Sequence, residues 1–262
     1  MSELKVHTVA EMLGRGESPD ILFWVGCAGS FDQRAQKVTR AVVSILNKCN
    51  IKFAVLGTEE SCTGDPAKRA GNEFLFQMQA MMNIQVLNGY EIKKIVTACP
   101  HCFNTLRNEY PQLGGNFEVI HHSMLLQSLI NEGKLKVEGG KFKGKKIVYH
   151  DACYLGRGNN VYEAPREVIQ KLDVALSEMK RSRAQGLCCG AGGAQMFKEP
   201  EQGNKDINIE RTEEALELKP DVIAVGCPFC MTMMSDGVKM NDKENEVQVL
   251  DIAELIAQAG EL

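Results

Sequence analysis

Short apolar runs alternate with amphipathic stretches along this chain, and the whole alternation occurs twice. Ile21-Leu22-Phe23-Trp24-Val25 is a continuous apolar run of strand length ending at Gly26-Cys27, the pattern of a strand buried on both faces. Ala35, Val38, Val42, Ile45, Leu46 and Cys49 then recur at helical spacing and predict a helix with one apolar face. Residues Phe53 to Leu56 read as the next strand and deliver the chain to Cys62, after which Phe74, Met78, Met81 and Met82 mark another helical face. Ile95-Val96-Thr97-Ala98 is a third strand, running directly into Cys99.

The second half repeats the plan. Lys146-Ile147-Val148-Tyr149-His150 is a strand before Cys153, a helix starts over Pro165 to Leu172, and Asp221 to Val225 is a strand before Cys227. Strands that alternate with helices predict an α/β fold with parallel sheets. The glycine- and lysine-rich stretch from Gly133 to Lys146 is the natural boundary. The expected architecture is two pseudo-symmetric α/β repeats, residues 1–135 and 136–262, each with a small mainly parallel sheet flanked by helices. The cysteines fall where strands end, the usual place for sites in open α/β sheets.

With 262 residues, 44% hydrophobic and 24% charged, the chain can bury one large core or two smaller ones. A net charge of −4 and the lack of a basic stripe with interleaved aromatics argue against a nucleic-acid partner. Glu3, Lys5, Glu11, Arg15, Glu17 and Asp20 interrupt any signal-peptide core, and the run Ile21 to Val25 is far too short to span a bilayer. Direct membrane insertion is therefore not expected. A cytoplasmic location is, reaching the inner membrane only through a partner subunit. In that reducing compartment ten cysteines read as metal ligands or redox groups before they read as disulfides.

Their spacing shows an internal duplication. Thirty-five positions separate Cys27 from Cys62 and also Cys153 from Cys188, while Cys62 to Cys99 spans 37 and Cys188 to Cys227 spans 39. Cys99-Pro-His-Cys102 matches Cys227-Pro-Phe-Cys230, and Val119-Ile120-His121 mirrors Val249-Leu250-Asp251. Five cysteines from three loops, Cys153, Cys188 with Cys189, and Cys227 with Cys230, exceed what packing requires. Thiolates are what iron-sulfur clusters and zinc select, so the residues point to a metal or cluster carrier.

Several motifs have plainer readings. Cys49 sits on the apolar helical face with no counterpart in the other half, and reads as a small core side chain. The CxxC at Cys99 and Cys102 also resembles an oxidoreductase dithiol, a weak match on four residues. His101 and His150 lie close enough to cysteines to tune a centre through hydrogen bonds, whereas His121 and His122 read as packed or solvent-facing. Met231, Met233 and Met234 read as helix packing. Gly190-Ala-Gly-Gly193 lacks the Lys-Ser/Thr of a phosphate loop, so no nucleotide site is expected there.

Cys153, Cys188-Cys189-Gly190 and Cys227-x-x-Cys230 resemble the cysteine-rich CCG domain of the B subunit of heterodisulfide reductase. Related domains occur in iron-sulfur subunits of anaerobic glycerol-3-phosphate dehydrogenase, lactate utilisation proteins and some succinate:quinone reductases. More narrowly, Glu60-Ser-Cys-Thr-Gly-Asp-Pro66, Gly71-Asn-Glu-Phe-Leu-Phe-Gln77, His150-Asp-Ala-Cys-Tyr-Leu-Gly-Arg157 and Cys188-Cys-Gly-Ala-Gly-Gly193 resemble part of the membrane iron-sulfur oxidoreductases linked to electron-transfer flavoprotein.

That resemblance implies a noncubane 4Fe-4S cluster on Cys153, Cys188, Cys189, Cys227 and Cys230. The first copy departs from the pattern, with Thr63 at the fifth position by equal spacing, or Ser61 by an alternative alignment. Cys27, Cys62, Cys99 and Cys102 remain, and four thiolates suit a second 4Fe-4S cluster or tetrahedral zinc equally. One complete site fits an electron relay better than a heterodisulfide-cleaving enzyme, whose chemistry uses two such clusters. The implied protein is an iron-sulfur subunit of an oxidoreductase complex rather than a complete enzyme. Its implied partners are a flavoprotein dehydrogenase or electron-transfer flavoprotein, and a ferredoxin-type or membrane quinone-reducing subunit. A zinc-stabilised interaction module and a thiol-disulfide or heterodisulfide reductase subunit are the alternatives.

Overall fold

The computed structural model describes residues 4–199 and 202–262, so Glu3, one of the N-terminal charges noted above, lies outside it. The first half runs α1 (Val9–Gly14), β1 (Ile21–Trp24), α2 (Gly26–Phe31), α3 (Gln33–Lys48), β2 (Phe53–Ala54), α4 (Asp65–Arg69), α5 (Glu73–Gly89), β3 (Lys94–Thr97), α6 (Pro100–Asn104), β4 (Glu118–His121) and α7 (His122–Asn131). The second runs β5 (Lys146–Tyr149), α8 (Glu163–Gln170), β6 (Ala175–Ser177), α9 (Ile207–Leu216), β7 (Val222–Val225), α10 (Pro228–Met240), β8 (Gln248–Asp251) and α11 (Ile252–Ala259).

The described strands form two four-stranded sheets, ordered β2-β1-β3-β4 and β6-β5-β7-β8, with every neighbouring pair parallel. Two pseudo-symmetric α/β repeats are thus what the chain builds. Even the register repeats: Leu22 lies opposite Ile95 as Val148 lies opposite Ile223. β1 and β7 are buried at every position, which explains why their runs are continuously apolar instead of alternating.

Three local readings change. The strand expected through Leu56 ends at Ala54, because Val55 leaves the sheet to bridge Thr8. The helix expected from Pro165 begins at Glu163, which places the proline in the first turn, where no backbone N–H is required. On α5 the face marked by Phe74, Met78, Met81 and Met82 points outward, with Phe74 76% and Met82 59% exposed. The stripe that packs inward is Phe76, Ala80, Ile84 and Leu87. Both stripes are apolar at helical spacing, so periodicity alone could not choose between them.

The halves are joined by charged and polar contacts as well as by packing. Arg34 on α3 forks onto both carboxylate oxygens of Glu254 on α11, at 2.7 and 2.8 Å, and donates to the Val249 carbonyl at 2.9 Å. Behind it lies a fully buried histidine chain. The Ser123 N–H donates to His121 Nδ1, so His121 carries its proton on Nε2, which faces the Gly226 carbonyl at 3.0 Å and His122 Nδ1 at 3.1 Å. His122 Nε2 in turn donates to Asp251 at 2.9 Å. His121 and Asp251 end the equivalent strands β4 and β8, so the chain ties the two sheets together beside the backbone that leads into Cys227.

Asp251 also caps α11 through the Ala253 N–H. Asp251→Ala removes the cap and leaves the buried His122 N–H without an acceptor, a combined loss of roughly 2–4 kcal/mol. Asp251→Asn keeps an acceptor oxygen and should lose much less. Urea unfolding of both variants checks this, and equal losses would contradict it.

Candidate metal centre

Each sheet reverses its winding direction at one place, between β1 and β3 in the first and between β5 and β7 in the second. A crevice opens beyond the carboxyl ends of strands at such a switch point. Cys27 and Cys99 follow β1 and β3, and Cys153 and Cys227 follow β5 and β7, so topology alone brings these four thiols to two crevices. Loops after the outer strands β2 and β6 bring in Cys62 and the Cys188-Cys189 pair.

In the second half all five expected cysteines converge. Their thiols adjoin one another in one continuous series: Cys153 to Cys188, Cys188 to Cys189, Cys189 to Cys230, and Cys230 to Cys227. Gly190, at φ +94°, turns the loop so that its own N–H donates to Cys188 Sγ at 3.3 Å. Cys189, Cys227 and Cys230 are buried, while Cys153 and Cys188 are partly exposed. Hydrogen bonds from Cys153 and Cys189 draw the Cys188 thiol far below its ordinary range. Burial opposes ionisation of Cys227, yet hydrogen bonds from Cys230 and His101 outweigh it and lower its pKa to about 5. Cys153 and Cys189, donating to Cys188, are pushed up.

The first half repeats this geometry with one substitution. Cys27 and Cys62 are hydrogen-bonded, lowering Cys27 to about 6 and raising Cys62, and the Gly64 N–H donates to Cys62 Sγ at 3.4 Å as Gly190 does to Cys188. Cys99 and Cys102 complete the set in a recess that Thr63, His101 and Phe229 also line. Thr63 is buried with its hydroxyl 3.9 Å from Cys102 Sγ, the place Cys189 takes beside Cys230. Ser61 is exposed and bonds Asn83 instead, so geometry assigns the missing fifth thiol to Thr63. Glu60 was not singled out from the sequence. Its carboxylate accepts the Val25 and Gly26 N–H groups at 3.0 and 2.6 Å, and burial pushes its pKa up to about 7.

Between the two sets stands His101. Although it belongs to the first CxxC, it bonds Cys227 of the second. Its Nδ1 lies 2.8 Å from Asp65, which Arg69 also pairs at 3.0 Å. The Tyr154 ring lies 4.2 Å and the Phe229 ring 4.8 Å from it, centroid to centroid. Burial disfavours the imidazolium, but the bonds to Asp65 and Cys227 prevail and raise its pKa. His150 is the opposite case. Burial, then the nearby Arg211 charge, lowers it to about 3. One of its ring nitrogens lies with Cys189 Sγ and Cys230 Sγ, all within 4.8 Å of one another.

The donor set fits a thiophilic metal or cluster. All ten cysteines are free thiols, nine of them gathered at the two crevices, and buried His150 Nε2 has no hydrogen-bond partner among the described residues. Cys49, the tenth, is buried in the core at the end of α3. A thiol-exchange role suits this arrangement poorly, because both cysteines of each CxxC are buried and attack on a disulfide needs access. Met231 and Met234 pack in the core, and no described helix is long and apolar enough to cross a membrane.

The profile of the cysteine-rich CCG domain matches residues 21–107 and 147–235. Over 258 residues the chain is 45% identical to a probable iron-sulfur-binding oxidoreductase, FadF, of Bacillus subtilis, covering 98% of this chain and 36% of that protein. It is 44% identical over 252 residues to the EtfAB:quinone oxidoreductase of Syntrophomonas wolfei, covering 94% and 35%. Against the D subunit of the dihydromethanophenazine:CoB–CoM heterodisulfide reductase of Methanosarcina barkeri it is 36% identical over 254 residues, covering 93% and 59%. The chain thus spans little more than a third of the first two relatives. Among solved structures, a hypothetical protein from Helicobacter pylori shares the fold with a TM-score of 0.57 at 8% identity, covering 91% of this chain and 48% of that one.

In metal-free protein at pH 7, Cys27 and Cys188 should be the first thiols alkylated by iodoacetamide. Both are partly exposed and held mainly as thiolates, the reactive form. Cys49 should be among the last. Labelling of Cys27 should fall as pH drops through about 6, its folded pKa. Peptide mapping by mass spectrometry checks the order, and equal labelling of Cys27 and Cys62 contradicts it.

Proposed function

We propose that this chain, which belongs to the cysteine-rich CCG domain family, is the iron-sulfur electron-transfer subunit of an oxidoreductase complex. The observation that carries this reading is the unbroken series of contacts linking Cys153, Cys188, Cys189, Cys230 and Cys227 at the β5/β7 switch point. Five clustered sulfurs are one more than tetrahedral zinc uses. They suit a noncubane 4Fe-4S cluster, which when bound would supply one-electron storage and transfer. The four thiols of the first site, Cys27, Cys62, Cys99 and Cys102, suit a cubane 4Fe-4S cluster or zinc. The repeats 1–135 and 136–262 would each contribute one site.

The protein's own work is to hold sulfurs, exclude water and set the electrostatics. Burial of Cys189, Cys227 and Cys230 keeps solvent from most of the second site. The Gly190 N–H on Cys188 and the His101 ring on Cys227 donate toward sulfur and stabilise negative charge there. Two cysteines of that site remain partly exposed, on the side where a redox partner would approach. The name of the Syntrophomonas wolfei relative supports a flavoprotein, electron-transfer flavoprotein, as donor and a quinone-reducing unit as acceptor, and a probable membrane-anchored ferredoxin of Chromohalobacter salexigens, 40% identical over 248 residues, supports a ferredoxin-type unit.

Cleavage of a heterodisulfide is the competing reading, since one component of that reductase is among the relatives. Two features disfavour it. The first site lacks a fifth thiol, and the rings of His101, Tyr154 and Phe229 stand between the sites, where a substrate touching both would have to lie.

Anaerobically prepared protein should be brown and contain iron and acid-labile sulfide. Cys189→Ala should abolish the EPR signal of the second site while metal at the first site persists. Colourless, iron-free protein, or unchanged iron in the variant, would sink the assignment.

A further inference from the structure

We propose that His150 is not a ligand of the second site but its hydrogen-bond donor, presenting Nε2–H to sulfur beside Cys189 and Cys230, with Arg211 positioning the ring. This rests on the reading that the second site holds an iron-sulfur cluster. The argument begins with proton inventory. Arg211 Nε lies 3.0 Å from His150 Nδ1, and a guanidinium N–H can only donate. His150 Nδ1 is therefore an acceptor, and the proton of the neutral ring resides on Nε2.

Nε2 is buried and has no partner among the described residues. A ring nitrogen of His150 lies within 4.8 Å of Cys189 Sγ and Cys230 Sγ, and Nδ1 is already engaged by Arg211, so Nε2 is the nitrogen free to meet sulfur. A metal-ligating histidine shows the reverse arrangement, donating its second N–H to a carboxylate or carbonyl. Here the second nitrogen accepts, and ligation through Nε2 would require an imidazolate beside several thiolates.

Arg211 is built to keep this tautomer. It is fully buried, and its NH1 group is anchored on the Arg181 carbonyl at 2.8 Å and on Glu214 at 3.0 Å. Glu214 is itself gripped by the Arg181 backbone N–H and guanidinium, at 2.6 and 2.9 Å. A ring flip would put Cδ2 in the place of Nδ1 and leave Arg211 Nε unpaired in the interior.

The duplication supplies an independent observation. Three residues before Cys27, at the position equivalent to His150, stands Trp24, and its Nε1 is likewise buried without a partner among the described residues. Indole nitrogen donates a hydrogen bond and does not ligate metal. What both copies retain at this position is thus a ring N–H donor, not a ligand. Donation to cluster sulfur stabilises the more reduced, more negative state and raises the reduction potential.

The test compares anaerobically reconstituted wild type, His150→Leu and His150→Gln by iron and sulfide content and EPR-monitored redox titration. His150→Leu should keep its iron and sulfide and shift the second-site potential to a more negative value. His150→Gln, which carries an amide N–H to a similar reach, should recover most of that shift. In wild type labelled with 15N-histidine, pulsed EPR should show weak nitrogen couplings from His150 and from His101, and the His150 component should be lost in His150→Gln while that of His101 remains, a measurement that stands even if the leucine variant does not fold. A strong coupling typical of direct ligation, or couplings unchanged in His150→Gln, or full occupancy with an unshifted potential in His150→Leu, overturns the assignment. Wild type without any cluster overturns the functional reading itself, a different result from a present cluster with an indifferent His150.

Discussion

Thiols gathered at a buried point cannot all ionise, because each new thiolate repels those already there and loses its hydration. The second site of this protein lives under that constraint. Without a cation, Cys188 and Cys227 take the negative charge while Cys153, Cys189 and Cys230 are forced to remain protonated as donors to them. A bound metal inverts this logic by deprotonating its ligands outright. Much of the surrounding structure is arranged to hold sulfurs in that unfavourable proximity: parallel strands that end together, Gly190 with its N–H on Cys188, and a buried arginine network behind His150.

The same constraint explains the seam between the halves. His101 and Phe229 occupy equivalent places in their CxxC turns, and they meet across the pseudo-twofold at the edge of the first-site recess. One ring is polar and the other apolar, so only one imidazole reaches across, and it supports Cys227 of the complete site. The buried histidine chain from His121 to Asp251 holds the Gly226 carbonyl just ahead of that cysteine. Burial pushes His121 toward its neutral form. The four-thiol first half thus supports the five-thiol second half through His101.

A duplication also records what each copy can do without. Thr63 is buried beside Cys102 with a hydroxyl and a methyl in place of a thiol, an exchange that leaves the loop geometry intact. The Gly64 N–H still meets Cys62, as Gly190 meets Cys188. Glu60 adds a carboxylate behind Cys27, bound to two backbone N–H groups at the start of α2. The two sites share a plan but differ in thiol count, four against five, and in the carboxylate that Glu60 places behind Cys27.

The sequence by itself determined the repeat, the α/β class and the set of gathered cysteines, because each is a matter of periodicity and spacing along the chain. Continuous apolar runs, strand-to-cysteine distances and a repeated 35-residue interval require no knowledge of who meets whom in space. Tertiary structure decided the rest. It chose which of two apolar stripes on α5 faces the core, since both satisfy helical spacing and only neighbouring elements distinguish them. It chose Thr63 over Ser61, because a side chain's direction depends on the turn at Gly64 and not on its place in an alignment. It also sent His101 to the other half's cysteine and gave His150 its tautomer through Arg211, sixty-one residues away. Hydrogen-bond partners at that separation are set by packing, and packing is a property of the folded chain as a whole.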